Sequence, residues 1–162
     1  MPEVVLRRAV PDDLPVVERL WQLDRHEMAE FWRSRPDPDG LFRPGVPAML
    51  VSDPDRDAWF ILADGRVAGL ASTRRRADGA RSVFSFLVVR AARRSGVGRA
   101  AAAQVLAAHP GEWAVAFQEV NAGAAVFWRS VAAGAAVDGV VREEVETTPR
   151  GSEQVWLRFA TT

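Results

Sequence analysis

The chain of 162 residues contains no cysteine, no lysine and no tyrosine. The absence of cysteine excludes disulfides, thiol nucleophiles and thiolate metal sites. The absence of lysine excludes a phosphate-binding P-loop of the Walker type, which needs a lysine beside the phosphates. The absence of tyrosine removes a side chain that often donates protons in catalysis. Neither a membrane-spanning apolar run nor the apolar segment of a secretory signal is apparent.

Charge and hydropathy indicate an ordinary globular protein. The 21 basic residues balance the 21 acidic residues, so the net charge does not favour nucleic acid or an anionic membrane as a partner. Apolar residues make up 48% of the chain, which is enough to form a core. We expect one domain over residues 1–162, located in the cytoplasm. The sequence leaves open whether this domain forms a homodimer.

Hydrophobic periodicity and turn residues predict an α/β (α+β) chain with the element order β-αα-βββ-α-β-α-ββ. A strand at 4–10 precedes a helix that starts at Pro11 and a short second helix at 29–32. Prolines and glycines between 35 and 57 predict a long loop. Loops of this length in a compact domain often act as substrate lids, and this one could contain a short helix at 47–51. The remaining elements are a hairpin of 58–63 and 66–74, a strand at 82–89, a helix at 97–108, a strand at 113–120, a helix at 122–133 capped by Asn121, and strands at 137–147 and 153–160.

Residues 93–99 combine a turn with positive charge. Their sequence, Arg-Arg-Ser-Gly-Val-Gly-Arg, lies between an apolar strand and an alanine-rich helix. The first turn of a helix leaves its N–H groups without partners inside the helix, and glycines let an anion approach the backbone closely. This stretch therefore predicts a phosphate-binding site. Arg74, Arg75 and Arg76 are instead expected to form the solvated end of a hairpin.

A dinucleotide-binding turn is an alternative for the same residues. Gly96, Gly98 and Ala101 fit the loose fingerprint, and Glu119 lies near the distance expected for the acid that binds the ribose. In such a turn the first glycine directly follows the strand, whereas residues 90–95 intervene here. Too little chain follows the motif to complete a doubly wound sheet. A nucleotide-binding regulatory domain is therefore the weaker interpretation.

Two motifs resemble the GCN5-related N-acetyltransferase (GNAT) family. Arg93-x-x-Gly96-x-Gly98 is similar to the acyl-CoA pyrophosphate motif of that family, Arg/Gln-x-x-Gly-x-Gly/Ala. Residues 121–128 are similar to its later stretch, Asn-x-x-Ala-x-x-Phe-Trp. The resemblance covers nearly the whole chain and implies the GNAT fold, a mixed central sheet of about seven strands with four helices.

The resemblance also implies acetyl-CoA as the co-substrate, no metal, and a small amine as the acceptor. Backbone groups of the strand would hold the pantetheine arm, at Phe86, Leu87 and Val88. The pyrophosphate would lie against the backbone and the arginine side chains of the loop, at Arg93, Arg94, Gly96, Val97, Gly98 and Arg99. Asn121 and Trp128 would lie near the cofactor, although Asn121 as a helix cap alone is an equal alternative.

The residues for proton transfer depart from the family pattern. Trp128 stands seven positions after Asn121, where the family often has a tyrosine acid. An indole N–H cannot deliver a proton to a thiolate. Ser85 replaces a glutamate found on the pantetheine strand of one subfamily. The candidates that remain for proton transfer are Ser85 itself, Glu119, and four side chains of the early helices, Asp24, His26, Glu27 and Glu30. The acids on those helices could instead attract a cationic amine.

We therefore expect an acetyl-CoA-dependent N-acetyltransferase that acts on the primary amine of a small molecule by direct attack in a ternary complex. A covalent acyl-enzyme is not expected, because the chain lacks cysteine and shows no serine–histidine arrangement. The alternative is a non-catalytic acyl-CoA-binding module that has lost its acid and base.

Overall fold

The computed structural model describes residues 1–162 and contains seven strands and four α-helices. Single turns of 3-10 helix cover Pro11–Asp13 and Arg90–Ala92. The strands are β1 (Val4–Arg8), β2 (Arg56–Ala63), β3 (Arg66–Arg75), β4 (Arg81–Val88), β5 (Gly111–Phe117), β6 (Arg142–Thr147) and β7 (Glu153–Thr161). The helices are α1 (Leu14–Trp32), α2 (Val46–Ser52), α3 (Val97–Ala107) and α4 (Ala122–Ala135).

The strands form one mixed sheet in the order β1-β2-β3-β4-β5-β7-β6. β4 and β5 pair in parallel, whereas the pairs β1–β2, β2–β3, β5–β7 and β6–β7 are antiparallel. The turn between β2 and β3 uses Asp64 and Gly65, both with positive φ, as an Asp-Gly hairpin requires. The predicted fold class and element order are confirmed.

Helix α1 corrects one prediction. It runs without interruption for 19 residues, so the separate short helix expected at 29–32 is wrong. The helix ends at Arg33, whose left-handed conformation (φ 56°) closes its last turn. The short helix expected at 47–51 is present as α2. β6 is shorter than expected, because residues 137–141 contain a turn at Gly139 with φ 73°.

One compact unit comprises Met1–Arg74 and Phe84–Ala101. Its core brings together apolar side chains of α1, α2 and the strands, among them Val17, Leu20, Trp21, Leu50, Phe60, Leu70 and Leu87. The long loop between α1 and α2 is held by hydrogen bonds to the backbone of Phe42. The carbonyl of Phe42 accepts hydrogen bonds from the side chains of Trp21 and Gln22 at 3.0 and 2.9 Å. Its N–H donates to Gln22 Oε1 at 2.7 Å.

The other compact unit comprises Arg75–Val83 and Ala102–Thr162. Trp113 is fully buried in it and donates its indole N–H to the carbonyl of His109 at 3.0 Å. Asn121 caps α4 by accepting the N–H of Ala124 at 3.2 Å, as the sequence predicts. The single domain over residues 1–162 stays a prediction. None of the helices is long and apolar enough to cross a membrane.

Candidate functional site

The segment between β4 and α3, which the sequence predicts to bind a phosphate, contains two residues with positive φ. Arg94 and Gly96 both adopt left-handed conformations, with φ of 61° and 83°, on either side of Ser95. Left-handed residues in such a turn direct backbone N–H groups towards one concave surface, and α3 starts directly afterwards at Val97. For a non-glycine residue such as Arg94, this conformation costs on the order of 1–3 kcal/mol and is typical of ligand-binding segments.

Glu27 ties this loop to α1. Its Oε1 accepts a hydrogen bond from Nε of Arg90 at 2.9 Å, and its Oε2 lies 3.0 Å from Nη2 of Arg93. Arg93 also donates from Nε to the carbonyl of Val88, the last residue of β4, at 2.7 Å. Burial by itself would raise the pKa of the Glu27 carboxyl, but the hydrogen bonds from both arginines outweigh it and the pKa is lowered. Glu27 therefore holds the loop as a carboxylate at neutral pH.

The other predicted phosphate-binding residues differ in exposure. Val97 is fully buried and anchors the start of α3 in the core. Arg94 and Arg99 are exposed. A β-carbon at Gly96 would lie 3.1 Å from the sulfur of Met1, in addition to the strain of its positive φ. The φ of 83° therefore favours glycine at this position, whereas the contact is with the flexible end of the Met1 side chain, which can move.

Gly69 on β3 lets β4 approach closely, although Gly69 was not among the predicted site residues. A β-carbon there would lie 1.9 Å from the carbonyl oxygen of Leu87. β3 is irregular at the same place, because Ile61 pairs with Gly69 while Leu62 pairs with Val67. The backbone of Leu87, predicted to hold pantetheine, thus depends on Gly69. The available signal was a glycine inside a strand pattern, which often marks a bulge or a close backbone contact.

Ser85 on β4 is 3% exposed, and its Oγ lies 2.5 Å from the Oγ of Ser72 on β3. The ring of the preceding residue, Phe84, lies 5.7 Å from the guanidinium of Arg74 on β3. The Ser85 hydroxyl is hydrogen-bonded to the Ser72 hydroxyl. A hydroxyl partner does not activate serine as a base.

The remaining candidates in this unit lie on α1. His26 and Glu30 are exposed and stand one helical turn apart on the same face. Asp24 is buried and accepts hydrogen bonds from Arg25 through Oδ2, at 3.1 Å from Nε and 2.5 Å from Nη2. Burial raises the pKa of Asp24, although the Arg25 guanidinium opposes that shift. The Arg25 guanidinium also stacks on Trp21 and Trp32, at 4.4 and 5.0 Å from their rings.

In the unit that contains α4, Glu119 is exposed and paired with Arg129. Hydrogen bonds from Arg129 hold the pKa of Glu119 below its ordinary value, which makes this carboxylate a weaker base. Arg129 also donates from Nε to Glu143 at 2.8 Å. Trp128 is 8% exposed, with its ring edge-on to Phe127. No group of three or more metal-ligating side chains lies together.

Residues 17–131 match the model of the Acetyltransferase (GNAT) family. The chain therefore belongs to this family of acetyltransferases, as its motifs predict. No curated protein sequence matches the chain.

Several solved structures share the fold. An acetyltransferase from Thermus thermophilus superposes with a TM-score of 0.73 at 16% identity, over 99% of this chain and 99% of that chain. A diaminobutyrate acetyltransferase from Paenibacillus lautus, in complex with its substrate L-2,4-diaminobutyric acid and coenzyme A, gives 0.68 at 18% identity, over 99% and 96%. An aminoglycoside acetyltransferase in complex with coenzyme A and kanamycin gives 0.67 at 15% identity, over 98% and 95%.

Proposed function

We propose that this protein transfers an acetyl group from acetyl-CoA to the primary amine of a small molecule, by direct attack in a ternary complex. The observation that carries the proposal is the loop before α3, where Arg94 and Gly96 are left-handed in a chain of the GNAT family. Two of the similar structures are complexes with coenzyme A, which supports the same co-substrate here.

The loop and β4 would hold the co-substrate in two ways. Backbone N–H groups of 94–99 and the exposed charges of Arg94 and Arg99 would bind the pyrophosphate, because a helix N-terminus favours an anion. Backbone groups of 86–88 would bind the pantetheine arm. Bound acetyl-CoA would supply an activated thioester carbonyl. Asn121 and Trp128 stay predictions of the family resemblance.

Acetyl transfer would form a bond between the amine nitrogen and the carbonyl carbon and break the bond between that carbon and sulfur. The amine loses one proton, and the departing thiolate gains one. Ser85 is buried against Ser72, and Glu119 is held charged by Arg129. We therefore rank His26 and Glu30 above these two as the groups that accept the amine's proton, with solvent as the alternative route.

Thermal unfolding with acetyl-CoA tests the binding part of the proposal. Saturation at a hundred times Kd stabilises a folded protein by about 2.7 kcal/mol, so the melting temperature of the wild-type protein should rise. Gly98→Asp should abolish that rise, because it puts an anion beside the pyrophosphate. Stabilisation by NAD in place of acetyl-CoA would contradict the proposal.

Thiol release from acetyl-CoA across a panel of amines tests catalysis. The protein has no cysteine and contributes no thiol background. Release that depends on the amine supports acetyl transfer. Tight acetyl-CoA binding without thiol release for any amine would instead identify a non-catalytic acyl-CoA-binding module. The hydrogen-bonded Ser85 and the tryptophan at 128 would then be explained as positions where the acid and base have been lost.

A further inference from the structure

Glu27 on α1 joins both ends of the 3-10 turn that follows β4. Its Oε1 accepts a hydrogen bond at 2.9 Å from Nε of Arg90, the first residue of that turn. Its Oε2 lies 3.0 Å from Nη2 of Arg93, the residue directly after the turn. One carboxylate therefore holds two guanidinium groups, and Glu27, Arg90 and Arg93 together form the Glu27 clamp.

Arg93 is also fixed from the side of β4. Its Nε donates a hydrogen bond to the carbonyl of Val88, the last residue of that strand, at 2.7 Å. Its backbone N–H donates to the carbonyl of Arg90 at 3.2 Å. The Arg93 side chain thus reaches from the end of β4 to α1, and its Nε and Nη2 both point at acceptors of the protein itself.

The residue after Arg93 is the strained one. Arg94 adopts a left-handed conformation with φ of 61°, and a strained backbone persists only where the surrounding contacts determine it. The clamp fixes the chain immediately before Arg94. Ser95 fixes it immediately after, because the Ser95 hydroxyl donates to the carbonyl of Ala92 at 2.9 Å. The conformation of the loop is therefore imposed in part by α1, through Glu27.

The charge of Glu27 makes this role testable by sign. The loop is proposed to bind a pyrophosphate, and a carboxylate close to an anion repels it. Removal of that charge alone should therefore strengthen binding of the donor. Loss of the clamp should weaken binding, because a loop that is no longer held must be ordered when the ligand arrives. The two effects act in opposite directions.

We propose that Glu27 is a positioning residue for the acyl donor, which through Arg90 and Arg93 holds the loop before α3 in the conformation that binds the pyrophosphate. This inference rests on the proposed binding of acetyl-CoA. It adds a residue of α1, outside the loop and β4, to the determinants of donor affinity.

Calorimetric titration of acetyl-CoA measures the effect of Glu27. Glu27→Gln should raise Kd by about fivefold or more, which is the upper range for one partly exposed ion pair. Glu27→Asp keeps the charge but is one methylene shorter and cannot reach both arginines, so its Kd should be intermediate. Glu18→Gln is the matched control, because it removes the same charge from an exposed position on the same helix, and its Kd should equal that of the wild-type protein.

A second background shows whether Glu27 acts through the arginines. In Arg90→Gln/Arg93→Gln the clamp is already absent, so adding Glu27→Gln should cause no further rise in Kd. A general disturbance of α1 would instead weaken binding equally in both backgrounds. Thermal unfolding without ligand shows that each protein is folded at the titration temperature, and Glu27→Asp carries the test if Glu27→Gln is not.

Three outcomes overturn the positioning role and leave the proposed acetyl transfer intact. They are an unchanged or lowered Kd in Glu27→Gln, an equal rise in both backgrounds, and complete loss of binding in Arg90→Gln/Arg93→Gln, which would show that the arginines contact the donor directly. Failure of the proposed function looks different, because the wild-type protein itself would then show no heat of binding, and both proposals would fall.

Discussion

Replacement of Gly69 by alanine tests how β4 is positioned. The new β-carbon would lie 1.9 Å from the carbonyl oxygen of Leu87 and 2.9 Å from its carbonyl carbon. Real β-carbons essentially never approach another heavy atom within 3.0 Å, so the two strands must separate by at least 1.1 Å, the difference between these distances. Both neighbours are backbone atoms, and no side chain can rotate to relieve the contact.

Overpacking of this kind typically costs about 1–3 kcal/mol of unfolding free energy. For a chain of this size each kcal/mol lowers Tm by about 2–4 °C, so Gly69→Ala should lower it by on the order of 2–12 °C. Displacement of the β4 backbone around Leu87, which is proposed to bind the pantetheine arm, should also weaken acetyl-CoA binding by at least about tenfold, since one lost hydrogen bond to a neutral group is worth about 1 kcal/mol and several would be misaligned. Calorimetric unfolding and a titration with acetyl-CoA measure the two effects.

Gly134→Ala is the matched control for this change. A β-carbon at Gly134 on α4 meets no atom within 4 Å, and alanine favours the helix over glycine by up to about 1 kcal/mol. Its Tm should stay the same or rise, with acetyl-CoA affinity unchanged. If Gly69→Ala also left both Tm and affinity unchanged, the close approach of the strands would not exist in solution.

Two further predictions concern the ion pair of the loop and the buried serine. Glu27 has a lowered pKa in the folded protein, so its stabilising effect is present above the ordinary glutamate pKa and is lost as the pH falls through the lowered value. Urea unfolding between pH 3 and 7 should therefore show a smaller acid-side loss for Glu27→Gln than for the wild-type protein, and identical pH slopes would refute the ion pair. Ser85→Ala should change kcat by less than about threefold, because its hydroxyl bonds only to Ser72 and general bases contribute about a hundredfold or more. A hundredfold loss in kcat with intact acetyl-CoA binding would restore Ser85 as a catalytic group.

Much of the fold follows from local signals in the sequence. The Asp64-Gly65 turn, the prolines before α2 and the apolar strand runs each specify an element without reference to distant residues. The end of α1 was not predictable in this way. Met28 to Phe31 contain no helix breaker, and the stop is the left-handed conformation of an ordinary arginine at 33.

Contacts between distant parts of the chain account for what the sequence did not reveal at the site. The pairing of Glu27 with Arg90 and Arg93 joins residues more than sixty positions apart. The role of Gly69 depends on the carbonyl of Leu87 on another strand. Arg74 was expected in solvent but is half-buried over Phe84, as Arg76 is over Trp156, and only Arg75 is exposed. No periodicity within one element encodes such contacts.

Calorimetric titration of acetyl-CoA into three proteins tests the central claim that the loop before α3 binds the acyl donor. The wild-type protein and Gly134→Ala should bind one molecule per chain with equal affinity, whereas Gly98→Asp should show no heat of binding. Equal binding by Gly98→Asp, or none by the wild-type protein, would contradict the claim.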